Sequence, residues 1–261
     1  MTAYKNILLE RENGVARLVL NNPESRNPMT EETKEELVAA LEEIERDDTV
    51  RSVVLTGAGT AFCAGGDIKK IGQELTPDEI TGVMKNSQRL LRKLLALEKP
   101  VVAAVNGDAF GMGCNLVFTA DFPIASEKAR FSEAFIKLGV MADFGALYFL
   151  PRLVGMWKTK ELVYTGSIVS AAEAKEMGLI YKVVPDNELQ KEASALADRL
   201  ARMPTKAIGR AKKLLSRTFE MGLSEVLDEE IEAQIALSKT EDHREAVQAF
   251  MEKRQAKFQG K

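Results

Sequence analysis

The sequence contains very little histidine and cysteine. Its 261 residues include one histidine, His243, and two cysteines, Cys63 and Cys114. A Ser-His or Cys-His nucleophile would have to use His243, which lies in the polar stretch Thr240-Glu-Asp-His-Arg-Glu245. We expect this histidine to be a solvated surface residue, which argues against most histidine-dependent mechanisms. Nothing near the cysteines has metal-ligand spacing, so we expect no metal site and no disulfide.

The sequence also lacks long apolar runs and an excess of one charge. No uncharged apolar stretch reaches the roughly 18 residues of a membrane span. The first residues show no apolar core followed by a cleavage site, so we expect no secretion signal and a cytoplasmic protein. Basic and acidic residues number 36 and 39, and they are mixed along the chain. This balance disfavours a nucleic-acid partner but allows a local basic spot for a phosphorylated small molecule.

The first half of the chain has the pattern of alternating strands and helices. Residues 7–11 and 15–20 flank Asn13-Gly14, a strong hairpin signal. Residues 28–46 have helical apolar spacing, and residues 51–56 form a short β-branched run typical of a buried strand.

A second helix and strand follow. Thr76-Pro-Asp-Glu79 combines an N-cap, a proline at the first helical position and a capping-box glutamate, so we predict a helix from there to about Leu97. Residues 101–105 read as another buried strand. Strands that alternate with helices predict parallel pairing in an α/β fold.

The C-terminal third is mostly helical. Ser170-Ala-Ala-Glu173 is another capping box, residues 180–184 form a short strand, and the helical pattern continues from Asn187. We therefore divide the chain into a core, residues 1–195, and a helical module, residues 196–261, of the kind that often serves oligomer contacts.

Two glycine-rich loops carry the functional signal. Ala64-Gly-Gly-Asp67 and Gly111-Met-Gly113 each follow a predicted buried strand. Backbone N–H groups in such loops bind negative charge, and two that converge on one oxygen form an oxyanion hole. The alternative is that these glycines serve only tight turns. A dinucleotide fingerprint is disfavoured, because Phe62 stands where a third glycine would follow Gly57-Ala-Gly59.

Several ordered motifs resemble those of the crotonase (enoyl-CoA hydratase/isomerase) superfamily. The likeness extends over nearly the whole chain. The motifs are Ala61-Phe-Cys-Ala-Gly-Gly-Asp-Ile68, Lys99-Pro-Val-Val-Ala-Ala-Val-Asn-Gly107, Gly111-Met-Gly-Cys114, Leu138-Gly139, Leu150-Pro-Arg-Leu-Val-Gly155, Thr165-Gly166 and Ala171-Ala-Glu-Ala-Lys-Glu-Met-Gly-Leu179.

The resemblance implies a fold, a ligand and an assembly. The expected fold is α/β, a ClpP-like spiral of ββα units with a C-terminal helical trimerisation module, assembled as a homotrimer or a dimer of trimers. The expected substrate is an acyl thioester of coenzyme A, with no prosthetic group. Its carbonyl oxygen would bind the N–H groups of Gly66 and Met112.

The two glutamates typical of hydratases in this family have no counterpart here. Their positions correspond to Asn115 and Phe135. An amide does not take a proton from water at neutral pH and a phenyl ring cannot take one at all, which argues against the usual hydration. Glu133 lies two positions before Phe135, and we expect it to reach the site only if the loop differs.

Asp143 is the candidate acid or base. It stands among apolar residues in Val140-Met-Ala-Asp-Phe-Gly145, where burial should raise the pKa of its carboxyl group. This neighbourhood resembles the family's aspartate-type isomerases, such as the ring-opening epoxyphenylacetyl-CoA isomerase. The alternative is that Asp143 caps a helix that begins near Gly145. Use of Asp143 as a nucleophile, as in aryl-CoA dehalogenases, is disfavoured because residues 86–97 supply no histidine.

The resemblance assigns the remaining site residues. Asn115, Phe135 and Phe144 would line the acyl pocket. The residues implied in coenzyme A binding are Arg26 for a phosphate, the backbone around Ala64, Asp67 and Ile68 for adenine, and Phe250 and Lys253 from a neighbouring subunit.

Together these features predict a double-bond isomerase in which Asp143 moves a proton through a thioester enolate. Two alternatives stay open: an enoyl-CoA hydratase with a different acid/base set, and a catalytically silent homologue that binds coenzyme A.

Overall fold

The computed structural model describes residues 4–67 and 74–261. The strands within these ranges are β1 (Ile7–Glu12), β2 (Val15–Leu20), β3 (Ser52–Gly57), β4 (Ala61–Cys63), β5 (Val101–Val105), β6 (Asp108–Phe110), β7 (Phe122–Ser126), β8 (Arg130–Ser132), β9 (Val169–Ser170) and β10 (Lys182–Val184). The α-helices are α1 (Glu31–Arg46), α2 (Pro77–Ala96), α3 (Met112–Phe118), α4 (Ala146–Thr165), α5 (Ala171–Glu176), α6 (Leu189–Ala201), α7 (Thr205–Leu215), α8 (Leu223–Leu237) and α9 (Glu241–Met251). None of the helices in this part of the chain combines the length and apolar character needed to cross a bilayer.

The strands form two sheets, and consecutive strands along much of the chain alternate between them. The larger sheet has the order β1-β2-β3-β5-β7-β10, and the smaller one has the order β4-β6-β8-β9. After the N-terminal hairpin, the chain three times adds one strand to the large sheet and the next to the small sheet: β3 and β4, β5 and β6, β7 and β8. Among the described residues, α2 is the next helix after β4, and α3 begins two residues after β6 ends; this order confirms the spiral of ββα units.

The centre of the large sheet is covered on both faces, because β3 and β5 are buried at every position. Val53 and Leu55 of β3 pack into the main core with α1, whereas Val54 between them packs against α6 on the opposite face. This is the alternation that a strand imposes on successive side chains. Parallel strands covered on both faces are typical of α/β proteins.

The local signals placed most elements correctly. Thr76 and Ser170 both form the predicted capping boxes. The first helix begins at Glu31 instead of residue 28, because the Thr30 hydroxyl accepts from the N–H of Thr33 and so makes Thr30 the N-cap. The division between residues 195 and 196 stays a prediction, and both residues lie inside α6.

Asn27 fastens the chain before α1 to the connection between the two sheets. Its side-chain amide donates to the backbone oxygens of Ala58 (2.9 Å), Ala61 (2.8 Å) and Phe62 (3.3 Å). Its φ is 56°, in the left-handed region that asparagine and aspartate tolerate better than other side chains. The residue is buried, so these hydrogen bonds have no solvent replacement.

Asn27→Asp should therefore destabilise the protein without straining the backbone. The carboxylate keeps the size and the left-handed preference but cannot donate to the three carbonyl oxygens. We expect the free energy of unfolding to fall by about 2–3 kcal/mol, measured by denaturant titration near neutral pH. The exposed Asn187→Asp is the control, and an equal effect of the two substitutions would contradict the role given to Asn27.

Candidate active site

The two glycine loops predicted from the sequence lie in direct contact. A Cβ on Gly113 would stand 2.3 Å from the backbone oxygen of Cys63, which is too close for any side chain. A Cβ on Gly65 would stand 2.8 Å from the backbone oxygen of Phe110, and its φ of +103° also favours glycine. Glycine at both positions lets the end of β4 approach the start of α3.

Gly66 and Met112 stand on opposite sides of this contact. Gly66 forms an isolated parallel bridge with Met29, whose N–H donates to the oxygen of Gly65 at 2.8 Å. Met112 is the first residue of α3, after the N-cap Gly111, whose φ is 51°. First-turn N–H groups of a helix have no acceptor inside that helix. The structure thus brings together the two segments predicted to form an oxyanion hole.

Three polar side chains meet beside the second loop. Asn115, on α3, is 0% exposed, and its amide nitrogen donates to the backbone oxygen of Asp143 at 3.1 Å. The same nitrogen reaches Oε2 of Glu133 at 3.4 Å, a long hydrogen bond. Glu133 follows β8 and is 2% exposed. The site therefore holds two carboxyl groups, one of which the sequence had placed outside it.

Burial dominates the ionisation of both acids. It raises the pKa of Glu133 to about 7, helped by the negative charge of Asp143 and opposed by hydrogen bonds from Asn115 and the Cys114 thiol. Burial also raises the pKa of Asp143, against the attraction of the Lys34 ammonium group. Both shifts favour the neutral form, as expected where carboxyl groups leave water.

Several oxygens in this cluster have no hydrogen-bond partner. Within the described residues, Oδ1 of Asn115, Oε1 of Glu133 and Oδ1 of Asp143 are buried and unpaired. A buried acceptor without a donor costs about 1–3 kcal/mol. Unpaired groups gathered at one place are typical of functional sites.

Asp143 does not cap a helix. Gly145 is the N-cap of α4, and no side chain makes a capping hydrogen bond there. Asp143 uses its backbone oxygen, which accepts from the N–H of Ala146 at 3.0 Å. The capping alternative is therefore wrong. Phe144 has a φ of 50°, uncommon for a bulky residue and a mark of local strain beside the carboxyl group.

The predicted pocket residues lie around the same cluster. The Phe135 ring would be 3.5 Å from a Cβ on Gly111, so it packs directly on the second loop. Phe144 is buried next to Asp143, and Asn115 joins the carboxyl group of Glu133 to the backbone oxygen of Asp143. The structure thus gathers all three, although their contact with an acyl group stays a prediction.

The residues predicted for coenzyme A fall in two regions. Arg26 accepts, through its backbone oxygen, from the N–H of Ala64 at 2.9 Å, and Asp67 ends the described part of the same loop. The Arg26 side chain is exposed and lines a cavity of about 560 Å³ together with Lys128 and Arg130. Ile68 lies outside the described residues.

The other predicted coenzyme A residues lie at the end of α9. Phe250 is 81% exposed, and Lys253 follows with a φ of 54°. His243, in the first turn of α9, is exposed as expected. Cys63 and Cys114 are buried and unpaired by disulfide, and the described residues contain no group of three or more His, Cys, Asp or Glu side chains suited to a metal.

Glu133 is the site residue that the sequence analysis set aside. Strand β8 ends at Ser132, and the chain then turns into a 3-10 helix, Ala134–Leu138, with Glu133 as its N-cap residue. At this turn the side chain of Glu133 points into the protein interior and is buried. The sequence signal was only an acid directly after a strand with buried residues.

The pKa of Glu133 makes stability depend on pH. Its pKa is raised from 4.5 to about 7, so between these values the folded state binds more protons than the unfolded state. Stability therefore falls as pH rises through this window, by up to about 3 kcal/mol for this group. Glu133→Gln should be increasingly stabilised relative to the wild type as pH rises.

Denaturant titrations from acid to slightly alkaline pH measure this difference. Glu176→Gln, at an exposed position, is the control and should track the wild type throughout. A difference between Glu133→Gln and the wild type that stays constant with pH would contradict the buried, proton-binding state of Glu133.

Comparison with known proteins agrees with this geometry. Residues 10–261 match the enoyl-CoA hydratase/isomerase family. The 1,2-epoxyphenylacetyl-CoA isomerase of Escherichia coli (strain K12) is 40% identical over 258 residues, 98% of each chain. The short-chain-enoyl-CoA hydratase of Clostridium acetobutylicum is 38% identical over 251 residues, 95% of each. The crystal structure of an enoyl-CoA hydratase from Bacillus anthracis superposes with a TM-score of 0.93 at 34% identity, covering 98% of this chain and 100% of that one. The chain belongs to the enoyl-CoA hydratase/isomerase family and is an acyl-CoA enzyme.

Proposed function

We propose that this enzyme is a double-bond isomerase in which Asp143 is the acid and base. The observation that carries the proposal is the position of Asp143. Its carboxyl group is partly buried and has an unpaired oxygen. Its backbone oxygen accepts from Asn115, on the helix that begins at the second glycine loop. The two positions at which hydratases of this family have glutamates hold Asn115 and Phe135.

One carboxylate is sufficient for the proposed reaction. The Asp143 carboxylate removes a proton from the carbon next to the thioester of a 3-enoyl-CoA, which leaves an enolate. Asp143 then returns the proton two carbons away, and the double bond comes to lie next to the carbonyl group. No water is consumed and no second base is needed. Burial supports this role because it strengthens Asp143 as a base.

The enolate oxygen would bind the N–H groups of Gly66 and Met112. The contact of Gly113 with Cys63 and of Gly65 with Phe110 holds the two loops together before any substrate arrives. Donors fixed in advance stabilise developing charge without reorganisation, by about 3–4 kcal/mol for each hydrogen bond.

The coenzyme A moiety would extend from these loops toward Arg26. The backbone hydrogen bond from Ala64 to Arg26 places this cation beside the first loop, where it suits a phosphate. The backbone at Ala64 and Asp67 would contact adenine. Phe250 and Lys253 would complete the binding site from a second copy of the chain.

Hydration is the second candidate, because Glu133 gives the site a second carboxyl group. With a pKa of about 7, Glu133 suits proton transfer near neutrality, and one relative is a short-chain-enoyl-CoA hydratase. Water addition would use Glu133 and Asp143 as the acid/base pair. Isomerisation is preferred because Glu133 is almost wholly enclosed by protein.

Asp143→Asn should abolish isomerisation of a 3-enoyl-CoA. The amide preserves the shape of the side chain but has no basic lone pair, so kcat should fall roughly 10²- to 10⁴-fold. In the wild type, kcat should rise with pH as Asp143 loses its proton, at a higher pH than for a free aspartate because burial raises its pKa. A coupled assay of 2-enoyl-CoA formation measures both.

Asp48→Asn, at an exposed aspartate, is the matched control and should keep full activity. Full isomerase activity in Asp143→Asn would exclude the proposed mechanism. Water addition to crotonyl-CoA that exceeds isomerisation would favour the hydratase. A wild type that binds coenzyme A thioesters and turns over none of them would establish the silent homologue.

We also propose that the chain assembles as a trimer or a dimer of trimers through its C-terminal helices. Helix α8 has no buried residue in the single chain. Its apolar side chains nevertheless recur every four residues and form one exposed stripe: Leu223, Leu227, Ile231 and Ile235. An exposed apolar stripe of this length is typical of a protein–protein interface.

Ile231→Glu should break this assembly. A charge at the centre of the stripe would lose its hydration on association, which costs several kcal/mol. We expect light scattering to give the mass of a monomer for this variant and of a trimer or hexamer for the wild type. Gln234→Glu, exposed on the same helix, is the control. A monomeric wild type would contradict the proposal.

A further inference from the structure

Glu133 is a buried carboxyl group for which the proposed isomerisation has no use. It is 2% exposed, one of its oxygens is unpaired, and the other lies 3.4 Å from the Asn115 amide nitrogen. An acid that served only structure would be paired with a cation or replaced by an apolar side chain. Its location, one hydrogen-bonded side chain away from Asp143, calls for a role in the reaction.

We propose that Glu133 is a positioning residue for Asp143: it orients the Asn115 amide that holds the Asp143 backbone, and its proton keeps a second negative charge out of the site. The inference rests on the proposed function, since it takes Asp143 as the acid and base. It adds a role for Glu133, which controls the orientation of Asp143 and the total charge of the site.

The orientation follows from the shared donor. A single nitrogen of Asn115 donates to the backbone oxygen of Asp143 at 3.1 Å and to Oε2 of Glu133 at 3.4 Å. Asn115 is wholly buried on α3, so Glu133 is the second acceptor, beside the Asp143 backbone oxygen, that fixes which way this amide faces. Asp143 lies in a strained segment, so a fixed anchor for its backbone also fixes the direction of its carboxyl group.

Titratable groups from three parts of the chain face Glu133 and Asp143. From α3, the Cys114 thiol faces Glu133, and burial together with the Glu133 charge raises its pKa well above the ordinary value, so it stays a neutral donor. From α1, the Lys34 ammonium group attracts the Asp143 carboxylate. Lys34 is itself held by Glu31 at 2.5 Å and by Ser87 at 3.1 Å. From the segment before α4, Asp143 faces Glu133 as a like charge.

This arrangement sets the order of ionisation. The Lys34 ammonium group favours the charged form of Asp143 and so opposes the rise that burial gives its pKa. The pKa of Glu133 is raised by burial and by the negative charge of Asp143, and only hydrogen bonds from Asn115 and Cys114 oppose this rise. Asp143 therefore loses its proton first and Glu133 second, as a coupled pair. Between the two ionisations the site then holds one negative charge, on the base that the proposed reaction uses.

A second charge would oppose the reaction. Proton removal by Asp143 creates an enolate in the same enclosed space, and ionised Glu133 would repel it. The wild-type kcat should therefore rise as Asp143 ionises and fall above about pH 7 as Glu133 loses its proton. The neutral isostere Glu133→Gln should remove the fall and leave the rise in place.

The experiment compares pH profiles of kcat and KM for three forms: wild type, Glu133→Gln and Glu133→Leu. Glutamine can still accept from Asn115, so we expect its kcat below neutral pH to stay within about threefold of the wild type. Leucine cannot accept, so its kcat should fall by roughly tenfold or more while KM, set by the distant coenzyme A contacts, changes little. Thermal unfolding checks that both variants fold.

The outcomes separate the two proposals. Asp143→Asn, assayed in parallel, tests the base alone. If it is inactive but Glu133→Gln retains the alkaline fall in kcat, only the role of Glu133 is overturned. A folded Glu133→Leu with wild-type kcat also overturns it. If Asp143→Asn is fully active, the proposed function fails whatever the Glu133 variants do. Loss of the fall in Glu133→Gln, together with rescue of the leucine defect by glutamine, supports the inference.

Discussion

The close approach of two backbone segments is the constraint on which the rest of this site depends. The start of α3 lies against the end of β4 because Gly113 leaves no Cβ in front of the Cys63 oxygen. Two parallel strands of the small sheet deliver these segments side by side, and the ββα spiral repeats the arrangement once for each glycine loop. A methyl group on Gly113 would push the two loops apart. It would also move the side chains of α3 away from the first loop.

The acids owe their properties to the same contact. Because α3 is pressed against the first loop, its second turn faces the interior, and Asn115 is enclosed between β8 and the segment before α4. Glu133 and Asp143 approach this amide from different parts of the chain. Removal from water raises the pKa of both, and unequal surroundings separate them: Lys34 acts on Asp143, and Asp143 acts on Glu133.

Local signals predicted the features that depend on local energetics. The sequence predicted the hairpin at Asn13-Gly14, the capping boxes at Thr76 and Ser170, and the two glycine loops. These features are predictable because backbone conformation and helix capping depend on a few neighbouring residues. The inward position of Glu133 could not be predicted from the sequence. Whether it points inward depends on where β8 stops and on the 3-10 turn that follows, and a shift of one residue would reverse its direction. The capping role considered for Asp143 was wrong because a glycine in the left-handed region already occupies the N-cap.

The contacts that hold the two loops together involve glycine and backbone atoms on at least one side. Substitutions at positions 115, 133 and 143 can therefore exchange acids and amides without changing the backbone contacts between the loops. On the proposed function, mutation can redistribute the groups that move protons while the backbone proposed to bind the enolate oxygen is inherited unchanged. Two relatives of similar identity to this chain are named for different reactions, one an isomerase and the other a hydratase. A constant backbone with exchangeable acid and amide side chains would produce this difference.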